Sequence, residues 1–130
     1  MRDILFRAKR LDAGGAWAEG YFVSSGNGTN EIIPKDSYWD YYEGFSPEYE
    51  VDPDTLGQYT GLNDMNGQKI FEGDIVLWHS QVYPICWIDK YARFAAKPKG
   101  AVFAVIPFDQ GEVVGNIYDN PELLVGVANG

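Results

Sequence analysis

One cysteine, one histidine, few basic residues and no long apolar run exclude several classes of chemistry for this 130-residue chain. With Cys86 alone, no intramolecular disulfide can form. Cys86 sits in the apolar run Val82-Tyr83-Pro84-Ile85-Cys86-Trp87-Ile88, which reads as a strand with a buried, inert thiol. With one histidine and one cysteine, a metal could be held only by carboxylates. Glu50, Asp52 and Asp54 lack the spacing and glycine of a calcium loop. Asp64-Met65-Asn66-Gly67 runs on into Gln68-Lys69-Ile70 without the required glutamate. His79 beside Ser80 is adjacency only, because neighbours on a strand point to opposite faces. No glycine-rich phosphate loop opens a helix, and no pair of carboxylates is singled out for acid–base work. The expectation is therefore no catalytic residue, no cofactor site, no metal site and no enzymatic activity.

Lys and Arg together number 10 against 19 Asp and Glu, a net charge of −9. Affinity for phosphate backbones comes from cations neutralising phosphates, so duplex DNA is a disfavoured partner. No run reaches membrane-spanning length, and the start Met1-Arg2-Asp3-Ile4-Leu5-Phe6-Arg7 has no apolar h-region. The expectation is a protein with no membrane partner, located in the cytoplasm.

What is abundant is glycine, 15 residues, and aromatic side chains, 15% of the chain. Rings on half-buried faces separated by glycine turns point to a β-rich domain. Ile4, Phe6 and Ala8 alternate with Leu5, Arg7 and Lys9, then Asp12-Ala13-Gly14-Gly15 turns the chain into a second strand over residues 17–23. Glu31-Ile32-Ile33 reads as a short strand ended by Pro34. Further candidates cover 56–62, 68–71, 74–79, 81–89, 93–97, 101–108 and 112–118. Asn66-Gly67 predicts a hairpin through a type I′ turn, which needs positive φ at both central residues. Asp64 can bond turn amides, and Asp74 after Gly73 can cap the turn that starts its strand. Near the end, Asn120 as N-cap, Pro121 and Glu122 start a short helix.

Two segments are candidate contact surfaces. Residues 36–54 hold seven carboxylates and no Lys or Arg, interleaved with Tyr38, Trp39, Tyr41, Tyr42, Phe45 and Tyr49. Rings within a charged rim suit a protein interface, and equally could cover the sheet. A second run interleaves Lys90, Tyr91, Arg93, Phe94, Lys97 and Lys99, the composition of a single-stranded nucleic-acid platform. It is also ordinary for a solvated hairpin.

The opening Met1-Arg2-Asp3-Ile4-Leu5-Phe6-Arg7-Ala8, the stretch Val51-Asp52-Pro53-Asp54-Thr55-Leu56-Gly57-Gln58-Tyr59-Thr60-Gly61-Leu62, then Asp64, Asn66-Gly67 and the run Ile70-Phe71-Glu72-Gly73-Asp74-Ile75-Val76, and the closing Val114-Gly115-Asn116-Ile117-Tyr118-Asp119-Asn120-Pro121-Glu122-Leu123-Leu124 together resemble the YopX family of small phage and prophage proteins. The resemblance implies a mainly β protein. An N-terminal hairpin lobe over 1–50 would pack on an SH3-like barrel or roll over 51–130, with a short C-terminal helix. It implies no activity and carries over no catalytic residue. The implied role is a non-enzymatic phage or prophage accessory protein in the bacterial host cell, acting through protein contacts, with a second copy of itself as one candidate partner. The alternatives are an acidic mimic that occupies a host nucleic-acid-binding protein, or a weak single-stranded nucleic-acid binder.

Overall fold

Alternating short strands and glycine turns fold as the pattern requires, into a mainly β protein. The computed structural model describes residues 4–12, 14–24, 28–35, 49–98, 104 and 106–128, with 126–128 described by their backbone only. Among the described residues the strands lie in two antiparallel sheets, with one short α-helix. Among the described residues the sheets stay open and no closed barrel forms. The chain divides into two compact units, Met1–Tyr59 and Thr60–Gly130.

In the first unit, β1 (Phe6–Lys9) and β2 (Trp17–Ser24) form the expected hairpin, with Lys9 opposite Trp17 and Phe6 opposite Gly20. The turn between them uses Gly14 at φ +60° and Gly15 at φ +94°. β3 (Asn30–Ile33) pairs with the far side of β2, and β4 (Gly57–Asn63) begins beside β1. Alternation puts Phe6, Ala8, Ala18, Phe22 and Ile32 on one face, where they enclose Val51 and Leu56. Burying one such aliphatic side chain contributes roughly 1.5–3 kcal/mol. Gly20 is needed in this layer, because a Cβ there would collide with the Ile33 carbonyl.

Residues 50–52 staple this sheet. Val51 N donates to Asn30 O at 2.9 Å, Asp52 N to Lys9 O at 2.8 Å, and Glu50 O accepts from Leu11 N at 3.1 Å. Val51 bridges Arg10, and Glu50 bridges Glu31. The following 3-10 turn, Pro53–Thr55, is capped by the Asp52 carboxylate, which accepts from Asp54 N at 3.0 Å. The buried Thr55 hydroxyl accepts from Lys9 N and donates to Asp52 O.

In the second unit, the remainder of β4 and β5 (Lys69–Phe71) form a hairpin, and the Thr60 hydroxyl donates to Ile70 O at 2.8 Å. β6 (Asp74–Trp78), β7 (Gln81–Ile88), β8 (Arg93–Ala96) and β9 (Glu112–Asn116) make a sheet in the order β8-β7-β6-β9. Val76, Ile85, Phe94, Ala96, Ile70 and Phe108 form its core. The helix α1 (Glu122–Ala128) packs on β7.

Two turns depart from expectation. At Asn66-Gly67 only Gly67 has positive φ, +84°. Gly67 N donates to Asp64 O at 3.0 Å, so the turn is type I followed by a left-handed glycine. The Asp64 carboxylate accepts from Asn66 N at 2.8 Å and holds that geometry. The I′ arrangement falls instead at His79-Ser80, with φ +50° and +68°, between the paired residues Trp78 and Gln81. The Asn120 side chain also differs from the expected N-cap: its Oδ1 turns back to accept from Asn116 N at 3.2 Å.

Candidate functional site

The end of the first hairpin, the end of β3 and Tyr49 enclose a recess of about 320 Å³ in the first unit. Arg10, Trp17, Ala18, Glu19, Ile32, Pro34 and Tyr49 line it. Trp17 faces its β1 neighbours: the Arg7 guanidinium lies 4.7 Å from the ring centre and the Lys9 ammonium 5.6 Å. These cations fix the indole against the sheet. Arg10 is committed to Asp12 through two hydrogen bonds, Nε to Oδ1 at 3.1 Å and Nη2 to Oδ2 at 3.0 Å. The recess thus offers two aromatic walls and the Glu19 carboxylate on its rim. Its volume is near the lower end for a small-molecule pocket and suits a side chain or a short peptide turn.

Of the six rings singled out in the acidic segment, Tyr49 is described. It is 5% exposed and forms a wall of the recess. Tyr38, Trp39, Tyr41, Tyr42 and Phe45 lie outside the described residues. Trp17 and Glu19 carried no functional signal in the sequence. Their pairing with β1 is readable from the hairpin pattern, but their meeting with Pro34 and Tyr49 is tertiary.

Next to the recess, Glu31 and Glu50 stand directly opposite each other. Glu31 is 3% exposed, and its Oε2 has no hydrogen-bond partner. Burial, then the charge of Glu50, pushes the Glu31 carboxyl above the ordinary range.

In the second unit the basic-aromatic run divides between faces. Phe94 is 9% exposed and belongs to the core, where the exposed Trp87 meets it edge-on at 4.9 Å. Arg93 pairs with Ile88 and alternates to the other face from Phe94. Lys90 and Tyr91 sit in the 3-10 turn Asp89–Tyr91 at the hairpin end, with the Lys90 ammonium 5.5 Å from the Tyr91 ring centre. Lys97 is exposed just beyond β8, and Lys99 lies outside the described residues. Trp87, which reads in the sequence only as part of an apolar strand, donates through Nε1 to Asp89 Oδ1 at 2.6 Å.

The buried carboxylates of this unit hold turns. Asp64, 6% exposed, accepts from Asn66 N and Gln68 N through Oδ1, and from Val113 N through Oδ2 at 2.9 Å. Burial alone would raise its pKa, but these three backbone donors outweigh burial and hold the carboxyl below its ordinary value. Asp74 Oδ2 accepts from Phe71 N at 2.7 Å and closes the turn before β6. Burial pushes the Cys86 thiol up, which makes it a poor nucleophile. His79 is exposed in its turn and stacks on Trp78 at 3.9 Å. Among the described residues no three His, Cys, Asp or Glu side chains gather to hold a metal, and no helix is long and apolar enough to cross a membrane.

Comparison with known proteins adds a family and a relative of known structure. The family model described as YopX protein matches residues 5–125. The fold is similar to the crystal structure of protein EF1440 from Enterococcus faecalis, with a TM-score of 0.54 and 25% identity, covering 95% of this chain and 99% of that one. No curated protein matches.

Proposed function

This chain belongs to the YopX family, and from that premise we propose that it is a non-enzymatic phage or prophage accessory protein of the bacterial cytoplasm that acts by holding another protein. The observation that carries this reading is the recess of the first unit. Trp17 and Tyr49 form aromatic walls, and Glu19 supplies a charge at the rim. Rings inside a polar rim are the usual anchors of protein contacts. Duplex DNA is no partner in this reading, because the chain carries nine excess negative charges. A second copy of the chain is one form the protein partner takes.

The experiment is photo-crosslinking from a reactive residue at the exposed position Glu19, in infected or lysogenic cells, with sedimentation of the purified chain to detect self-association. A defined adduct that disappears in Trp17→Ala is the expected result. Glu19→Lys in the chain without the crosslinker reverses the rim charge without touching the core, and should weaken binding of the same partner in titration. Adducts unaffected by Trp17→Ala, or a partner that binds Glu19→Lys unchanged, would refute the assignment.

A second reading is favoured by Trp87 and Tyr91, two exposed rings on the β7–β8 hairpin beside Lys90 and Arg93. Such a group suits weak, salt-sensitive stacking of single-stranded nucleic acid. Titration with a pyrimidine oligonucleotide tests it: tryptophan quenching that fades with added salt and is lost in Trp87→Phe supports it, and no quenching at low salt removes it.

A further inference from the structure

The staple that returns the chain to the first sheet carries two like charges face to face. Glu31 of β3 and Glu50 occupy directly opposed positions of an antiparallel bridge, so their side chains project from the same side of the sheet. Like charges in this position oppose pairing. No neighbour reaches Glu31 Oε2 with a hydrogen bond. The β2 residue opposite Glu31 is Val23. The charged groups of β1, Arg7 and Lys9, lie over the Trp17 ring, and Arg10 is bonded to Asp12. On β2 the charged residue is Glu19, on the recess rim. On the staple itself, Asp52 is occupied as a cap of the 3-10 turn. Lys35 is exposed two residues beyond the end of β3. Glu31 Oε2 is left buried and without a hydrogen-bond partner.

We infer that Glu31 and Glu50 form a proton-operated latch on the staple. With a proton on Glu31, the buried oxygen loses its charge and the bridge closes. With both carboxylates ionised, the bridge is under repulsion, and residues 49–51 separate from β3 more often. Tyr49 is part of the same segment and Ile32 follows Glu31, so the latch sets how firmly two walls of the recess are held. The latch stands on the bridge and its burial, whether or not the recess receives a partner.

The direction follows from linkage. Glu31 ionises in the folded protein at a pH above the ordinary 4.5. The staple is therefore intact below 4.5 and loses stability as pH rises through the folded value. The experiment is native-state hydrogen exchange of the full chain, followed at the Val51 amide, which donates across the bridge to Asn30 O. In the wild type, the protection factor of Val51, corrected for intrinsic exchange, should fall as pH is raised from 4.5 to neutrality. In Glu31→Gln it should stay constant and exceed the wild-type value at neutral pH. In Glu50→Gln the fall should persist but be smaller and end closer to 4.5, because burial remains and repulsion is gone. The amide of Gly73 in the second unit, which donates to Ile85 O at 2.8 Å, serves as a control and should be insensitive to both substitutions. A pH trend in Glu31→Gln equal to that of the wild type, or a Val51 protection factor independent of pH in the wild type, would overturn the latch.

Discussion

Replacing Asp64 by Asn removes one charge and keeps the shape, so it measures what the ionised carboxylate contributes to the second unit. In the native chain Oδ1 accepts from Asn66 N at 2.8 Å and Gln68 N at 2.9 Å, and Oδ2 accepts from Val113 N at 2.9 Å. The amide oxygen of Asn can keep the two turn bonds, now neutral. Its NH2 must face the Val113 N–H, donor against donor. Hydrogen bonds to a charged group are worth about 1.5–3 kcal/mol and neutral ones about 0.5–1.5, so two weakened bonds and one lost bond cost about 3–6 kcal/mol. That is a large share of the roughly 5–15 kcal/mol that holds a domain folded. The assay is urea unfolding of both proteins at a series of pH values. Because the Asp64 carboxyl titrates below its ordinary 3.8 in the folded state, its contribution is complete above 3.8 and is lost as pH falls through the folded value. The gap between wild type and Asp64→Asn should therefore be widest near neutrality and close in acid. A gap below about 0.5 kcal/mol, or one that does not change with pH, would refute the claim that the charge does this work.

Other substitutions probe the backbone. Ser80→Gly relieves a left-handed residue worth about 1–2 kcal/mol while giving back about 0.4–1 through unfolded-state entropy, so the urea midpoint should rise modestly; Ser80→Ala should not raise it. Gly67→Val should cost about 1–3 kcal/mol from φ strain alone, since no atom crowds a Cβ there, and a denaturant melt shifted by less than a few tenths would contradict the turn geometry. Gly20→Ala meets the Ile33 carbonyl and should loosen the first unit, read as faster exchange at β2 and β3 amides.

The hairpins were legible because alternation and glycine are local signals. The first hairpin and the strands before and after Asn66-Gly67 follow from them, while Pro121 and Glu122 mark the start of the short terminal helix. Turn type was less legible. Asn-Gly favours I′ geometry, but the neighbouring Asp64 carboxylate captures the Asn66 amide and selects type I. His79-Ser80 carries no glycine or asparagine, and its I′ geometry is imposed by the register of β6 and β7. The reach of Asp64 to Val113, 49 positions away, and the opposition of Glu31 and Glu50 are products of tertiary assembly that no window of sequence contains. The recess is not legible in the sequence: Tyr49 stands out only as one ring of the acidic segment, and Trp17 reads as an ordinary strand residue that meets Pro34 and Tyr49 in the tertiary fold.

The staple at residues 50–52 has a consequence for the order of events in folding. The β1–β2 hairpin joins residues close in sequence, whereas the bond from Asp52 N to Lys9 O spans most of the first unit. Closing that long loop costs entropy before any contact repays it. The hairpins should therefore pair first and the staple should lock late, after the rate-limiting step. Changes confined to the staple would then move the unfolding arm of a chevron and leave the folding arm in place. Residues 50–52 would govern how long the first unit stays folded once formed, and hardly at all how fast it gets there.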